Sequence, residues 1–383
     1  MRIAVVAHVR HPVRPPFKGG MEAHAYHLTR ALAARGHEVT LLASGDSEPG
    51  PGVDLFPVLE RHYEPDFPWH RCHGTDALND YVDAAFARAA RQLLRGGYDV
   101  VHNNSLHRYP PRLARVHRVP TVTSLHVPAF GALRRAVHES AAPWSRFTAT
   151  SRTHARSYWG DGELPPEAHV VHNGIDLTRW PCGETRGDTD ASDAGDGAVL
   201  WAGRIEPNKA PHLAVQAAAL AGVPLSLYGH VELPRYFDAE IRPLLTDEIR
   251  YGGHVGGEEL AAAMRRASAF AFTPMWDEPF GLVAIEAMAS GLPVAAFDNG
   301  AAREVVGEEA GRFAASGDVA GLAEAMLAAL AIPRGRARRR VEERFGIERM
   351  VDGYEAVYRA AVAGRGVAAP GVRFPRWELR VAA

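Results

Sequence analysis

Glu278 and Glu286 stand eight positions apart in "MWDEPFGLVAIEAMASGLPV", residues 275 to 294, on either side of a Pro-Phe-Gly turn. Pro279 and Gly281 interrupt the chain. From Leu282 to Ser290 good helix formers carry apolar residues at helical spacing, and Gly291 ends the run. Glu278 therefore precedes a helix and Glu286 lies one turn inside it. A helix start behind a glycine turn leaves backbone N–H groups unpaired, which favours a bound anion such as phosphate. The carboxylates cannot be ligands of that anion; each offers two acceptor oxygens, which suits the vicinal hydroxyls of sugar rings. The local chemistry is a sugar on each side of a phosphate. Upstream, "WAGRIEPNKAPHLAVQAA" puts Arg204 just after a strand-ending Ala-Gly and Lys209 at or just before the next helix. At the carboxyl edge of a sheet these two cations would make a diphosphate clamp; the plain alternative is a pair of exposed charges in a strand–helix loop. A second helix N-terminus at 281 to 283 in the same domain tips the balance towards phosphate.

The elements that must carry these residues follow from periodicity. Residues 2 to 7 are an apolar run, a Pro-rich loop follows, Met21 to Arg35 reads as a helix closed by Gly36, and His37 to Ala43 reads as a second buried strand. Strand, loop, helix, strand is the βαβ unit of a parallel sheet. The pattern continues through a helix at 76 to 95 and the strands "YDVVHNN", "VPTVTSLH", "RFTATS" and "HVVHNG". Residues 182 to 197, "CGETRGDTDASDAGDG", are polar, aperiodic and rich in Gly and Asp, the composition of a flexible linker. A second α/β series begins at "AVLWAG". It runs through helix 211 to 221, strand "PLSLYG", helix 236 to 245, strand "IRYGGHV", helix 257 to 267, strand "AFAFTP", the Glu286 helix and strand "PVAAF". The expected domains are 1–178, a linker 179–197, 198–345, and a C-terminal helix and tail 346–383 that packs back on the first domain. Doubly wound sheets of this kind bind ligands at the carboxyl ends of their strands, here in a crevice between the two domains.

Composition narrows the partners. At 383 residues the chain exceeds one ordinary core, and 46% hydrophobic residues support two. A net charge of −2 offers no basic field for nucleic acid. Arginines 334, 336, 338, 339 and 340 could touch an anionic membrane or substrate, but Glu342 and Glu343 follow, and a solvated helix face is the expectation. The start "MRIAVVAHVRHP" reads as a first strand and not a signal peptide, and no apolar stretch has the length of a membrane span. Cys72 and Cys182, far apart and without metal spacing, support neither a disulfide nor zinc, so a reducing cytoplasm fits. Only Lys18 and Lys209 are lysines among 43 Lys and Arg residues. The first loop carries no G-x-G-x-x-G, which counts against an NAD-dependent dehydrogenase, and a non-catalytic two-lobed sugar or nucleotide binder would need export.

"GRIEPNK", followed about seventy residues later by "EPFGLVAIEAMASGLPV", resembles the retaining GT-B glycosyltransferases of family 4. "KGGMEAHAYHLTRALAARGHEVTLL", "YDVVHNN" and "VVHNGID" match that family's Gly-Gly loop and helix, a strand and an interdomain crossing, so the likeness runs to about residue 360. It implies an α/β GT-B fold, two Rossmann-like doubly wound domains facing a central cleft, the first binding acceptor and the second nucleotide sugar. Arg204 and Lys209 would hold the donor diphosphate, Glu278 the donor sugar's hydroxyls and Glu286 the ribose. The backbones of Phe280, Gly281 and Leu282 would face sugar and phosphate, and Val255 the base. Gly203 and Gly229 would border the nucleotide, Gly19 and Gly20 would admit the phosphates, and His126 would lie near the reacting carbon. Lys18, His102 and Asn104 are weaker candidates for the acceptor or cleft wall. The implied reaction is retaining transfer of a hexosyl-type sugar from a nucleotide diphosphate sugar, UDP before GDP, to a small-molecule, glycan or lipid-linked hydroxyl, with neither metal nor other cofactor. Asp188 and Asp190 mimic a metal-binding Asp-x-Asp motif, but adjoin no strand and read as a solvated spacer. An EF-hand loop is excluded because its twelfth position would be Val199.

Overall fold

The computed structural model describes residues 1–182 and 196–369 and separates into two compact units. The N-terminal unit comprises Met1–Thr150, Ala155–Val171 and the chain from Met350; the C-terminal unit comprises Ser151–His154 and His172–Arg349. Asp188 and Asp190 lie outside the described residues.

In the N-terminal unit β1 (Arg2–Ala7), β2 (Glu38–Ser44), β3 (Val53–Leu59), β4 (Val100–Asn104), β5 (Thr121–Leu125), β6 (Ser145–Ala149) and β7 (Ala168–Val170) form one parallel sheet. Its order is β3-β2-β1-β4-β5-β6-β7, doubly wound outward from β1 and β4. From Ile3 to Ala7 β1 is apolar and buried with no polar alternation, as expected of a parallel strand covered on both faces. The helix Asp76–Arg95 buries Leu78, Ala85, Phe86, Ala89, Ala90 and Leu93 on one stripe, and Thr75 caps it by accepting from the Leu78 amide. The last helix, Ile347–Gly364, presents Val351, Tyr354, Val357, Tyr358 and Ala361 to this unit's interior. Arg35 reaches Asp352 at 2.6 Å, and Gly364 lies so close to the Pro143 carbonyl that a Cβ would come within 2.0 Å of the oxygen.

In the C-terminal unit β8 (Val199–Ala202), β9 (Leu225–Tyr228), β10 (Ile249–Tyr251), β11 (Ala269–Phe272), β12 (Val294–Phe297) and β13 (Gly311–Ala314) form a second parallel sheet, in the order β10-β9-β8-β11-β12-β13. The segment 236 to 245, expected as one helix, is three short turns, among them a wide five-residue turn at Phe237–Ile241; Pro243, lacking an N–H, lies in the last.

The arginine cluster is only in part the expected solvated face, with Arg336 and Arg339 exposed. Arg334 and Arg340 are buried. Arg334 donates to the carbonyls of Ala267 and Ser290, at the ends of the helices Gly257–Arg266 and Leu282–Ala289. Arg338 donates to the Trp180 and Ala289 carbonyls, and Arg340 to those of Glu304 and Val305. Cations satisfying the orphan carbonyls of helix ends are staples inside one unit. Among the described residues no helix is long and apolar enough to cross a membrane.

Candidate active site

The phosphate-facing candidates of the C-terminal unit sit in the loops that leave β8 and β11 at their carboxyl ends. After β8, Arg204 pairs with Glu206 at 2.9 Å, and the turn Pro207–Lys209 precedes the helix Pro211–Ala221. Thr273, just past β11, fixes this turn: its hydroxyl donates to the Lys209 carbonyl (2.8 Å) and accepts from the Trp201 indole N–H (2.9 Å). The Met275 amide adds a bond to the Asn208 carbonyl. Lys209 is thereby delivered to Glu278, 69 residues away, and its Nζ donates to Glu278 Oε2. The same oxygen accepts from Trp276 Nε1 at 2.7 Å, and the ammonium lies 5.1 Å from the Trp276 ring centroid. An aromatic face opposite a cation and a shared carboxylate leave Lys209 little rotamer freedom.

The turn carrying Glu278 is held from two directions. The Ala301 amide donates to the Glu278 carbonyl (2.9 Å), with Gly300 pressed so close that a Cβ would lie 2.4 Å from the Glu278 nitrogen. Ser151 Oγ donates to the Pro279 carbonyl at 2.8 Å. The Ser151–Thr153 segment is anchored in turn by Glu304, which accepts from the Arg152 and Thr153 amides and from His172. Burial opposes the charge of Glu304, yet these donors hold its carboxyl down at about 2.

Phe280 is buried, its ring edge-on to Phe345 at 5.4 Å. Gly281 adopts φ +87° at the head of the Leu282–Ala289 helix, and a Cβ there would meet the Phe272 ring at 2.5 Å. Only glycine supplies both the left-handed backbone and the missing volume. Glu286 lies on the second turn of this helix; burial raises its carboxyl to about 7, with the Arg179 guanidinium pulling the other way. Gly203 and Gly229 press together: a Cβ on Gly229 would come within 1.7 Å of the Gly203 carbonyl oxygen, so contact inside the unit already demands that glycine. Val255 is half-buried in the loop before Gly257–Arg266, since β10 stops at Tyr251.

In the N-terminal unit Gly19 caps the helix Gly20–Ala34, with Lys18 and Gly20 exposed beside it. His126 directly follows β5, and its ring is 4.5 Å from that of His24. His102 and Asn104 are both fully buried. His102 Nδ1 is 2.8 Å from the Tyr358 hydroxyl and Nε2 3.2 Å from Ser124 Oγ. Ser124 donates to the Tyr354 hydroxyl at 3.1 Å, which lies 3.2 Å from His24 Nε2. Burial, then the nearby His126, lower the His102 imidazole to about 3, so the ring is neutral and serves packing. Asn104 Nδ2 donates to the Met21 carbonyl (3.4 Å), tying the end of β4 to the Gly19–Gly20 turn.

Trp276, Glu206, Thr273, Ser151, Gly300 and Arg179 were not singled out from sequence. Trp276 and Glu206 stood inside the quoted motifs, an aromatic and a carboxylate each two residues from a chosen charge. Among the described residues no three His, Cys, Asp or Glu side chains converge as a metal site.

Comparison with known proteins agrees with this fold. The family model for Glycosyltransferase Family 4 matches residues 18–179, and that for Glycosyl transferases group 1 matches residues 189–344. A glycogen synthase of Mycobacterium tuberculosis is 31% identical, with 98% of each chain covered. A phosphatidyl-myo-inositol mannosyltransferase of Mycobacterium leprae is 29% identical over 86% of this chain and 87% of its own. Among solved structures, AviGT4, a glycosyltransferase of avilamycin A biosynthesis, superposes with a TM-score of 0.71 at 24% identity, covering 95% of this chain and 99% of its own. Sucrose-phosphate synthase of Thermosynechococcus elongatus gives 0.73 at 20% identity, covering 94% and 99%. These two likenesses show the fold. The chain belongs to the family 4 glycosyltransferases of the GT-B fold, enzymes that use a nucleotide sugar.

Proposed function

We propose that the protein moves a hexosyl-type sugar from a nucleotide diphosphate sugar to an acceptor hydroxyl, with retention at the anomeric carbon and without a metal ion. UDP is the first donor base to test and GDP the next. The observation that carries the reading is the Lys209–Glu278–Trp276 arrangement, next to Arg204 and a glycine-led helix start.

Cleavage of the bond between the sugar's C1 and the phosphate oxygen sends its electron pair to the diphosphate and leaves oxocarbenium-like positive charge on the sugar. Arg204, Lys209 and the amides at the head of Leu282–Ala289 oppose the developing negative charge, the part a metal ion plays elsewhere. The acceptor hydroxyl attacks C1 on the face the diphosphate leaves, and its proton passes to the departing phosphate oxygen. Glu278 positions the donor sugar through its hydroxyls and forms no covalent bond. Glu286 takes the ribose hydroxyls.

Calorimetric titration with UDP, GDP and NAD tests the donor class, and proton NMR of the first product formed tests stereochemistry. A nucleoside diphosphate that binds while NAD does not, and a product with the donor's anomeric configuration, are expected. NAD binding or an inverted product overturns the proposal.

A further inference from the structure

Thr273 carries a hydroxyl in an apolar place. It directly follows β11, whose residues Ala269–Phe272 are all buried, and is itself 1% exposed, so its oxygen has given up water for the core. There it accepts from Trp201 Nε1 (2.9 Å), and its proton faces the carbonyls of Lys209 (2.8 Å) and Ala210 (3.2 Å). Trp201 is buried on β8, the neighbour of β11 in the sheet. With the indole N–H directed at the hydroxyl oxygen, the hydroxyl proton is left to point at the turn.

That turn works against its own backbone preference. Ala210 takes φ +46° and ψ 50°, a left-handed conformation that is unfavourable for a residue with a Cβ, and Pro207 and Pro211 on either side fix their own φ. The buried Ala210 amide turns back to the Glu206 and Pro207 carbonyls. Between Pro207 and Ala210 stands Lys209, whose ammonium meets the Glu278 carboxylate and the Trp276 ring. A lysine stem is flexible, so a fixed carbonyl at its root is what gives the ammonium a fixed starting point.

We infer that Thr273 is a positioning residue for the transfer: oriented by the Trp201 indole, its hydroxyl holds the Lys209–Ala210 turn and so sets the ammonium at Glu278. Thr273 acts through Lys209. The inference rests on the transferase reading above and adds to it two core residues on which turnover depends. A Thr273 that did no more than satisfy the Trp201 N–H would matter to stability and leave Lys209 in its seat.

Thr273→Val keeps the shape and removes both kinds of bond, whereas Thr273→Ser keeps the hydroxyl and loses a methyl group. Lys18 and Lys209 are the chain's two lysines, so carbon-13 lysine labelling gives two sets of Cε–Hε NMR signals, and the set lost in Lys209→Arg belongs to Lys209. In the parent, Lys209 Hε should stand upfield of Lys18 Hε because of the Trp276 ring. Thr273→Val should return it most of the way to the Lys18 position. It should also lower kcat for UDP-glucose or GDP-mannose, whichever the parent consumes, by at least ~10-fold, with KM changing less. Thr273→Ser should keep the signal and stay within ~3-fold of the parental kcat. Thr273→Ala should behave as Thr273→Val does and replaces it if the valine variant does not fold. An unmoved Lys209 signal, a moved signal with parental turnover, or a serine variant as slow as the valine one overturns the inference. A parent that consumes neither donor counts against the transferase reading, while the Lys209 signal still decides whether Thr273 holds the turn, so the two can fail separately.

Discussion

Glu286 is a carboxylate held against its own charge, and that has a measurable cost in stability. Its carboxyl stands near 7 in the folded protein, against 4.5 for an ordinary glutamate in the unfolded chain. That difference in proton affinity corresponds to ~3 kcal/mol. The folded state binds the proton more tightly than the unfolded chain. Stability is therefore unaffected by this group below about pH 4.5, falls as pH rises through 4.5 to 7, and is lower by ~3 kcal/mol above that window. Glu286→Gln keeps the shape and removes the titration. Desolvated histidines work with opposite sign: the half-buried His8 and His11 and the buried His107 near 4, and His102 near 3, stay neutral when folded, so their contribution is lost as pH falls. They are common to both proteins and cancel in the difference. Urea unfolding of parent and variant at about pH 5 and about pH 8, following the C-terminal unit's transition, should show the variant gaining ~2.5 kcal/mol relative to the parent between the two conditions, the rest of the loss having already occurred by pH 5. A difference that stays constant within ~0.5 kcal/mol would refute the reasoning, because it would mean that the carboxylate is not desolvated.

Lys209→Arg should lower kcat by at least ~10-fold, or ~1.4 kcal/mol, because a planar guanidinium cannot take the ammonium's seat between the Glu278 carboxylate and the Trp276 ring; near-parental steady-state turnover would show that shape is unimportant there. Glu278→Gln should slow transfer while UDP still binds, whereas Glu286→Ala should weaken UDP itself by ~1.5 to 3 kcal/mol for a charged hydrogen bond, and equal UDP affinities in parent and both variants would sink the ribose assignment. Transfer should continue in EDTA and in the double variant Asp188→Ser, Asp190→Ser, with loss of rate in either assay reviving a metal.

The α/β class was legible because parallel strands buried on both faces read as unbroken apolar runs, "RIAVVA" and "AVLWAG" alike. β3 escaped notice because "VDLFPVL" is an edge strand, mostly half-exposed, with Asp54 and Pro57 inside it. The Lys209–Glu278 contact was approachable from local motifs, since each residue announces its own position in a strand–loop–helix step. His102 was not, because what fills its surroundings is Tyr358, 256 residues away. The buried half of the arginine cluster escaped for the same reason: the carbonyls that Arg334 and Arg340 satisfy belong to the ends of helices 35 to 69 residues distant, and a run of charge carries no sign of them. The raised carboxyl of Glu286 depends on packing around a helix whose sequence shows only its own apolar face.

The helix Ile347–Gly364 makes the N-terminal unit the last part of the protein that can finish during synthesis. Its sheet strands are complete by Val170, yet the chain resumes that unit only at Met350. At 5–20 residues per second a ribosome needs roughly 10–35 s to cover the interval. Throughout that time His102, Ser124 and His24 lack the hydroxyls of Tyr354 and Tyr358, each unmet buried group costing about 1–3 kcal/mol. The apolar surface that Val351, Val357 and Ala361 later cover stays open to water and to chaperones. The C-terminal unit, almost continuous in the chain, can fold first, and a message truncated after residue 349 would release a complete C-terminal unit attached to an unfinished N-terminal one.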